Sequence, residues 1–140
     1  MITYFDTSTL IKLIIDEGGS PQAVLLWQTA DSVASARLVI VEARAALAAA
    51  HRRKRLSAKQ LDAAKAALAA FVDDVHLVEV TAELVDNAAQ LAEDEALRGY
   101  DAIHLAAALV VGATLFTSTD LVLCDAAGRQ GLHVANPLMD

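Results

Sequence analysis

Two hydrophobic periods alternate along this chain, and the alternation limits its fold more than any other feature. Short runs suited to strands stand at 2–5, 32–35, 76–80, 114–117 and 132–135. Between them lie longer stretches with helical spacing. Leu38, Val41, Ala45 and Ala48 mark the face of one helix, and Leu61, Ala64, Leu68 and Phe71 a second. Leu84, Ala88 and Leu91 mark a third, and a fourth is expected over about 101–111, stopped by Gly112. Ser57 with Gln60 forms a capping box, and Thr81 is a suitable N-cap. Short strands separated by helices, mostly unbroken in apolarity, predict a parallel sheet covered on both faces. The expectation is a single domain over residues 1–140. It has a three-layer α/β/α fold and a central parallel sheet of about five strands.

Composition narrows the class further. Hydrophobic residues make up 56% of the chain, swollen by alanine, and aromatics only 4%, which suits closely packed helices around a small aliphatic centre. The longest apolar stretch, 105–116, falls well short of the roughly 20 residues of a spanning helix. The N-terminus has no basic lead and meets an acid at position 6, unlike a secretory signal. A lone Cys124 offers no internal disulfide and no zinc cluster. These features predict a soluble, cytoplasmic protein. A formal net charge of −7, from 18 acids against 11 bases, argues as a total against nucleic acid. The distribution is less even, because His51, Arg52, Arg53, Lys54 and Arg55 form one compact basic run.

In an open parallel sheet, function collects beyond the carboxyl ends of the strands, where strand order reverses. Asp6 follows the first expected strand directly, and Asp120 follows the fourth in "TLFTSTD". Asp101 opens the helix leading into that fourth strand, and Glu42 sits beside the apolar stripe of the second helix. Each alone is accounted for as a cap, a turn residue or a solvated helix residue. Together they are harder to dismiss, since Glu42 and Asp101 lie in otherwise apolar surroundings. Converging carboxylates repel one another, and a hard cation with oxygen ligands offsets that repulsion. A pair of such ions can activate water and stabilise the leaving oxygen in phosphoryl displacement.

The stretches "YFDTSTLIKL", "VIVEAR", "RGYDAIHLAAAL" and "TLFTSTD" resemble the acidic motifs of PIN-domain nucleases, and among these the VapC-type toxins of bacterial toxin–antitoxin pairs. The resemblance runs from residue 2 to "GLHVANP", and "YDAIHLA" is its most specific piece. It implies a metal-dependent endoribonuclease toxin. Asp6 and Asp101 match the principal Mg2+ ligands (Mn2+ is the plausible substitute), with Glu42 and Asp120 completing the centre. Ser8 matches the small hydroxyl residue after the first acid, and Thr117 and Ser118 the hydroxyl positions before the fourth. Activated water would attack an RNA phosphodiester and leave a 5′-phosphate and a 3′-hydroxyl. The implied partners are a cognate antitoxin, RNA, and a second copy of the chain as a homodimer.

Other residues carry open readings. His104 lies in the matched motif but reads as a packed or hydrogen-bonded structural histidine. Arg98 either contacts phosphate or pairs with Glu95 on one helix turn. The basic run is a solvated helix end or an RNA contact through Arg52 and Arg53. "LVLCDAAGRQG" reads as a helix with Asp125 exposed. A haloacid-type phosphatase is excluded because position 8 is serine where that chemistry needs a second Asp. The rival of a different class is a catalytically silent PIN-like module that binds protein or RNA.

Overall fold

The computed structural model describes residues 1–139. Five strands are present: β1 (Ile2–Phe5), β2 (Ser32–Ala36), β3 (Val75–Val78), β4 (Leu115–Thr117) and β5 (His133–Ala135). They form one wholly parallel sheet in the order β3-β2-β1-β4-β5. The helices are α1 (Thr7–Leu10), α2 (Ser20–Thr29), α3 (Val39–Arg52), α4 (Ala58–Asp73), α5 (Ala82–Glu95), α6 (Gly99–Val111) and α7 (Leu121–Arg129). A 3-10 turn, Ile11–Leu13, continues α1.

β1 is the hinge of the layering, because its alternate side chains enter two separate cores. Tyr4 joins a cluster with Phe116, Ala102, Leu105, Leu84 and Leu123, so α5, α6 and α7 cover that face. Phe5 joins Leu10, Val39, Leu47 and Leu68, with Trp27 beside it, so α1 to α4 cover the other. Tyr4 stacks on Phe116 at 5.3 Å between ring centroids, while Trp27 meets both Phe5 and Phe71 edge-on. Few aromatics suffice because α3 packs against α4, and α6 against α5, with buried alanines. Ala43, Ala102, Ala107 and Ala108 are essentially inaccessible.

The expected capping box forms, with Ser57 Oγ accepting from the Gln60 amide and Gln60 Oε1 accepting from the Ser57 amide. Thr81 caps α5 as expected, and Gly112 ends α6 with φ +74°. α6 begins at Gly99, two residues before the expected start. Two expectations need correction. The buried stripe of α3 is Val39, Ala43, Leu47 and Ala50, and Val41 is 61% exposed. In an alanine-rich helix two neighbouring stripes are equally apolar, and the approach from β2 selects between them. The expected elements also lacked α2, which starts after Gly19 in a left-handed conformation (φ +88°) and has Pro21 in its first turn.

Chain order runs outward from β1 to β2 and β3, then returns to β4 and β5 on the other side. The reversal between β1 and β4 opens a crevice at their carboxyl ends. Asp6 and Asp120 follow those two strands, and the N-termini of α3 and α6 lie at the same edge of the sheet.

Candidate active site

Asp6 is the innermost acid. Its backbone amide continues the β1–β4 pairing by donating to the Thr117 carbonyl at 3.2 Å. Its carboxylate caps α1, accepting from the Thr9 amide at 3.1 Å and from the Ser8 hydroxyl at 2.6 Å. The same Ser8 hydroxyl accepts from the Thr119 amide at 3.0 Å, which ties the loop after β1 to the loop after β4. Asp6 is 5% exposed. Burial pushes its carboxyl above the ordinary carboxylate range, and nearby donors, including Ser118, Ser8 and Thr9, offset only part of that cost.

Glu42, in the first turn of α3, is held from two sides. Its Oε1 accepts from the Thr7 hydroxyl at 2.7 Å and lies 2.6 Å from His104 Nε2. His104 is buried on α6, and its Nδ1 lies 2.7 Å from the Tyr4 hydroxyl. An imidazole with its proton on Nε2 satisfies both ends, donating to Glu42 and accepting from Tyr4. Burial raises the Glu42 carboxyl, but the hydrogen bonds from His104 and Thr7 outweigh it and leave the group below its ordinary value. His104 is thus hydrogen-bonded at both ring nitrogens, and one of its partners, Glu42, is a candidate acid.

Asp101 and Asp120 form the outer lip. Asp120 caps α7 through Oδ1, which accepts from the Leu123 amide at 3.1 Å. Its own amide donates to the Ser118 hydroxyl at 3.0 Å. Asp101 lies in the first turn of α6. The Arg98 guanidinium spans the two acids, with Nε 3.0 Å from Asp101 Oδ2 and an Nη 3.3 Å from Asp120 Oδ2. The expected alternative partner, Glu95, pairs instead with Arg129 at 2.6 Å. The reason is local: Ala96 adopts φ +54° and ends α5, so Glu95 and Arg98 do not share a helix turn. Glu42, Arg98, Gly99, Tyr100 and Asp101 line one open cleft of about 410 Å³.

The other expected site residues divide. Ser8 and Ser118 stand among the acids, where their hydroxyls are taken up in orienting them. Thr117 is fully buried, and its hydroxyl donates to the Tyr4 carbonyl at 2.8 Å, which ties β4 to β1. Arg52 and Arg53 are exposed at the far end of α3, ten or so residues from Glu42 and hence about 15 Å along the helix axis. In the same run, Arg55 reaches Glu17 at 3.4 Å. Thr7 and Tyr4 were missed as contributors. Thr7 lay in view, directly after the first acid, whereas the Tyr4–His104 contact spans 100 positions and leaves no local mark.

The PIN domain family model matches residues 3–129. Over 111 residues the chain is 44% identical to Ribonuclease VapC45 of Mycobacterium tuberculosis, covering 79% of this chain and 77% of the relative. The chain belongs to the VapC ribonucleases of the PIN-domain family. Its fold is also that of the solved Mycobacterium tuberculosis VapC20, described as a sarcin-ricin loop cleaving toxin. That match has a TM-score of 0.69 and 20% identity, over 94% of this chain and 96% of the other. A toxin–antitoxin complex from Klebsiella pneumoniae matches with a TM-score of 0.64 and 20% identity, over 98% of both chains.

The donor set of this PIN domain fits a hard divalent cation. Every candidate ligand is a carboxylate or hydroxyl oxygen, the type that suits magnesium and manganese. One cation, the Arg98 guanidinium, already draws Asp101 and Asp120 together. Among the described residues no three His, Cys, Asp or Glu side chains stand close enough to enclose an ion. Magnesium commonly takes only one or two protein carboxylates and keeps its waters, so a closed cage is not required.

Asp6 supplies a test of the electrostatics. A carboxyl whose folded pKa lies above its unfolded value favours the folded state at low pH. That contribution is lost as pH rises through the folded value. Asp6→Asn keeps an oxygen for Ser8 and Thr9 while removing the buried charge. In chelator at neutral pH it should melt at the same temperature as the parent or higher, and the difference should vanish at acid pH. A markedly lower Tm at neutral pH would mean that the charge itself supports the fold.

Proposed function

We propose that this chain is the toxin of a toxin–antitoxin pair. It acts as a homodimeric, Mg2+-dependent endoribonuclease that hydrolyses RNA phosphodiesters. The observation that supports the reading is that Asp6 and Asp120 follow β1 and β4 while Glu42 and Asp101 sit in the first turns of α3 and α6 at the same edge, in a chain of the VapC ribonuclease family. These acids would hold one or two magnesium ions, with manganese as a substitute, and the bound cation would activate water and offset charge at the scissile phosphate.

The protein's own groups do the positioning. Ser8 and Thr9 fix the Asp6 carboxylate, and Thr7 and His104 fix Glu42, so two acids are oriented before substrate arrives. Tyr100, 66% exposed and lining the cleft, offers a ring on which an unpaired base can stack. Hydrolysis by water in line with the leaving oxygen gives a 5′-phosphate and a 3′-hydroxyl.

Control by an antitoxin fits the surface. Between α3 and α4 lies a groove lined by Ile40, Leu68, Ala69 and Val72, with Arg44 and Lys65 at its edges. An antitoxin tail that orders on binding would lay apolar residues there and extend an Arg to the acids, in keeping with the resemblance. Apolar burial would supply most of the affinity and the Arg most of the inhibition.

Three measurements test this reading. Asp6→Asn and Asp101→Asn should each cut RNA cleavage by more than about 100-fold, since even groups supporting a metal ligand commonly cost 10- to 100-fold. Sequencing of RNA ends should show 5′-phosphates. A parent protein that binds RNA but leaves it uncut with Mg2+ or Mn2+ would favour the silent module.

Replacing Arg52, Arg53 and Arg55 together with Ala should weaken RNA binding and flatten its salt dependence, with each lost phosphate contact reducing the log–log slope by roughly 0.7 for single strands. An unchanged slope would leave the run a solvated helix end.

A peptide of the antitoxin tail should bind and inhibit, whereas its Arg→Ala variant should bind nearly as well and inhibit poorly. Equal inhibition by both would remove the Arg from the mechanism.

A further inference from the structure

Arg98 occupies a position that its sequence context does not explain. Its side chain is 80% exposed, yet it is turned back onto two acids, Asp101 at 3.0 Å and Asp120 at 3.3 Å. Those acids come from different segments, the first turn of α6 and the cap of α7, and Arg98 is the cation that joins them. Arg98 is also the N-cap residue of α6 but makes no side-chain capping hydrogen bond. Its guanidinium thus takes no part in starting the helix. Asp101 and Asp120 keep about a fifth to a third of their side-chain surface open to solvent, so both remain reachable from the cleft.

We propose that Arg98 is a built-in, displaceable counter-ion. It holds Asp101 and Asp120 together in the metal-free protein, and a divalent cation must displace it before using those two carboxylates. This rests on the metal-site reading given above. The physical case is one of competition. Without a cation, two carboxylates drawn to one guanidinium's reach would repel one another, and the two ion pairs offset part of that repulsion. Exposed ion pairs are individually weak, so the guanidinium yields to a divalent ion that binds the same oxygens more strongly. The arginine lies on the wall of an open cleft with its side chain 80% exposed, so the displaced guanidinium has solvent to swing into. The cation site is thereby kept ordered at a cost in metal affinity.

The test uses full-length protein and Mn2+ as the probe, with binding followed by electron paramagnetic resonance of the free ion and stability by thermal melting in chelator. Arg98→Gln removes the charge at an exposed position that caps nothing, so the fold is retained. It should bind Mn2+ about three- to tenfold more tightly than the parent, the gain expected from releasing two exposed ion pairs. It should also melt lower in chelator, because the acids lose their counter-ion. Arg98→Lys, which keeps a charge but not the planar fork, should fall between the two. A purely structural arginine would lower both stability and Mn2+ affinity, and that result would overturn the proposal. Equal Mn2+ affinity in parent and Arg98→Gln would overturn it as well, while leaving the metal site intact. Absence of Mn2+ binding in both proteins would overturn the metal-site reading and this inference with it.

Discussion

Withdrawal of a carboxylate from water is the constraint around which the candidate site is arranged. Four acids lie toward one edge of a parallel sheet, and the innermost, Asp6, is almost wholly withdrawn from water. Each charge has a partner, and two of the acids share one. Asp6 has a hydroxyl and a helix amide. Glu42 has a hydroxyl and an imidazole. Asp120 has a helix amide, and Arg98 reaches both Asp120 and Asp101. Short helices beginning directly after strands are economical in this setting, because the free amides of a first helical turn supply donors where acids must sit.

Much of this was legible in the sequence because it is local. Strand-length apolar runs, a capping box at Ser57 and a stop at Gly112 all lie within windows of a few residues, and the structure forms each of them. That Asp6 and Asp120 leave strand ends was visible for the same reason. What could not be read was relative and three-dimensional. Two alanine stripes on α3 are chemically equivalent, and only contact with the sheet selects Val39, Ala43 and Leu47. The partner of Arg98 depends on a left-handed Ala96, a conformation that alanine seldom adopts and that no local residue pattern signals.

The Tyr4–His104–Glu42 chain illustrates a middle case. His104 was recognisable as a hydrogen-bonded histidine in an apolar helix, yet its importance lies in what it touches. It links the core around Phe116 to the pocket, so packing behind the sheet bears on the direction of an acid in front of it. A substitution deep in the α5–α7 layer can therefore disturb the site without approaching it.

The order of strands also bears on how the chain comes into being. The pocket draws on segments near residues 6, 42, 101 and 120, which together span most of the sequence. β4 pairs with β1 across more than a hundred residues, and Asp120 follows only after it. A nascent chain that has not yet emerged past that point has neither the β1–β4 crevice nor the fourth acid. The pocket is thus complete only once the segment carrying β4 and Asp120 has joined β1.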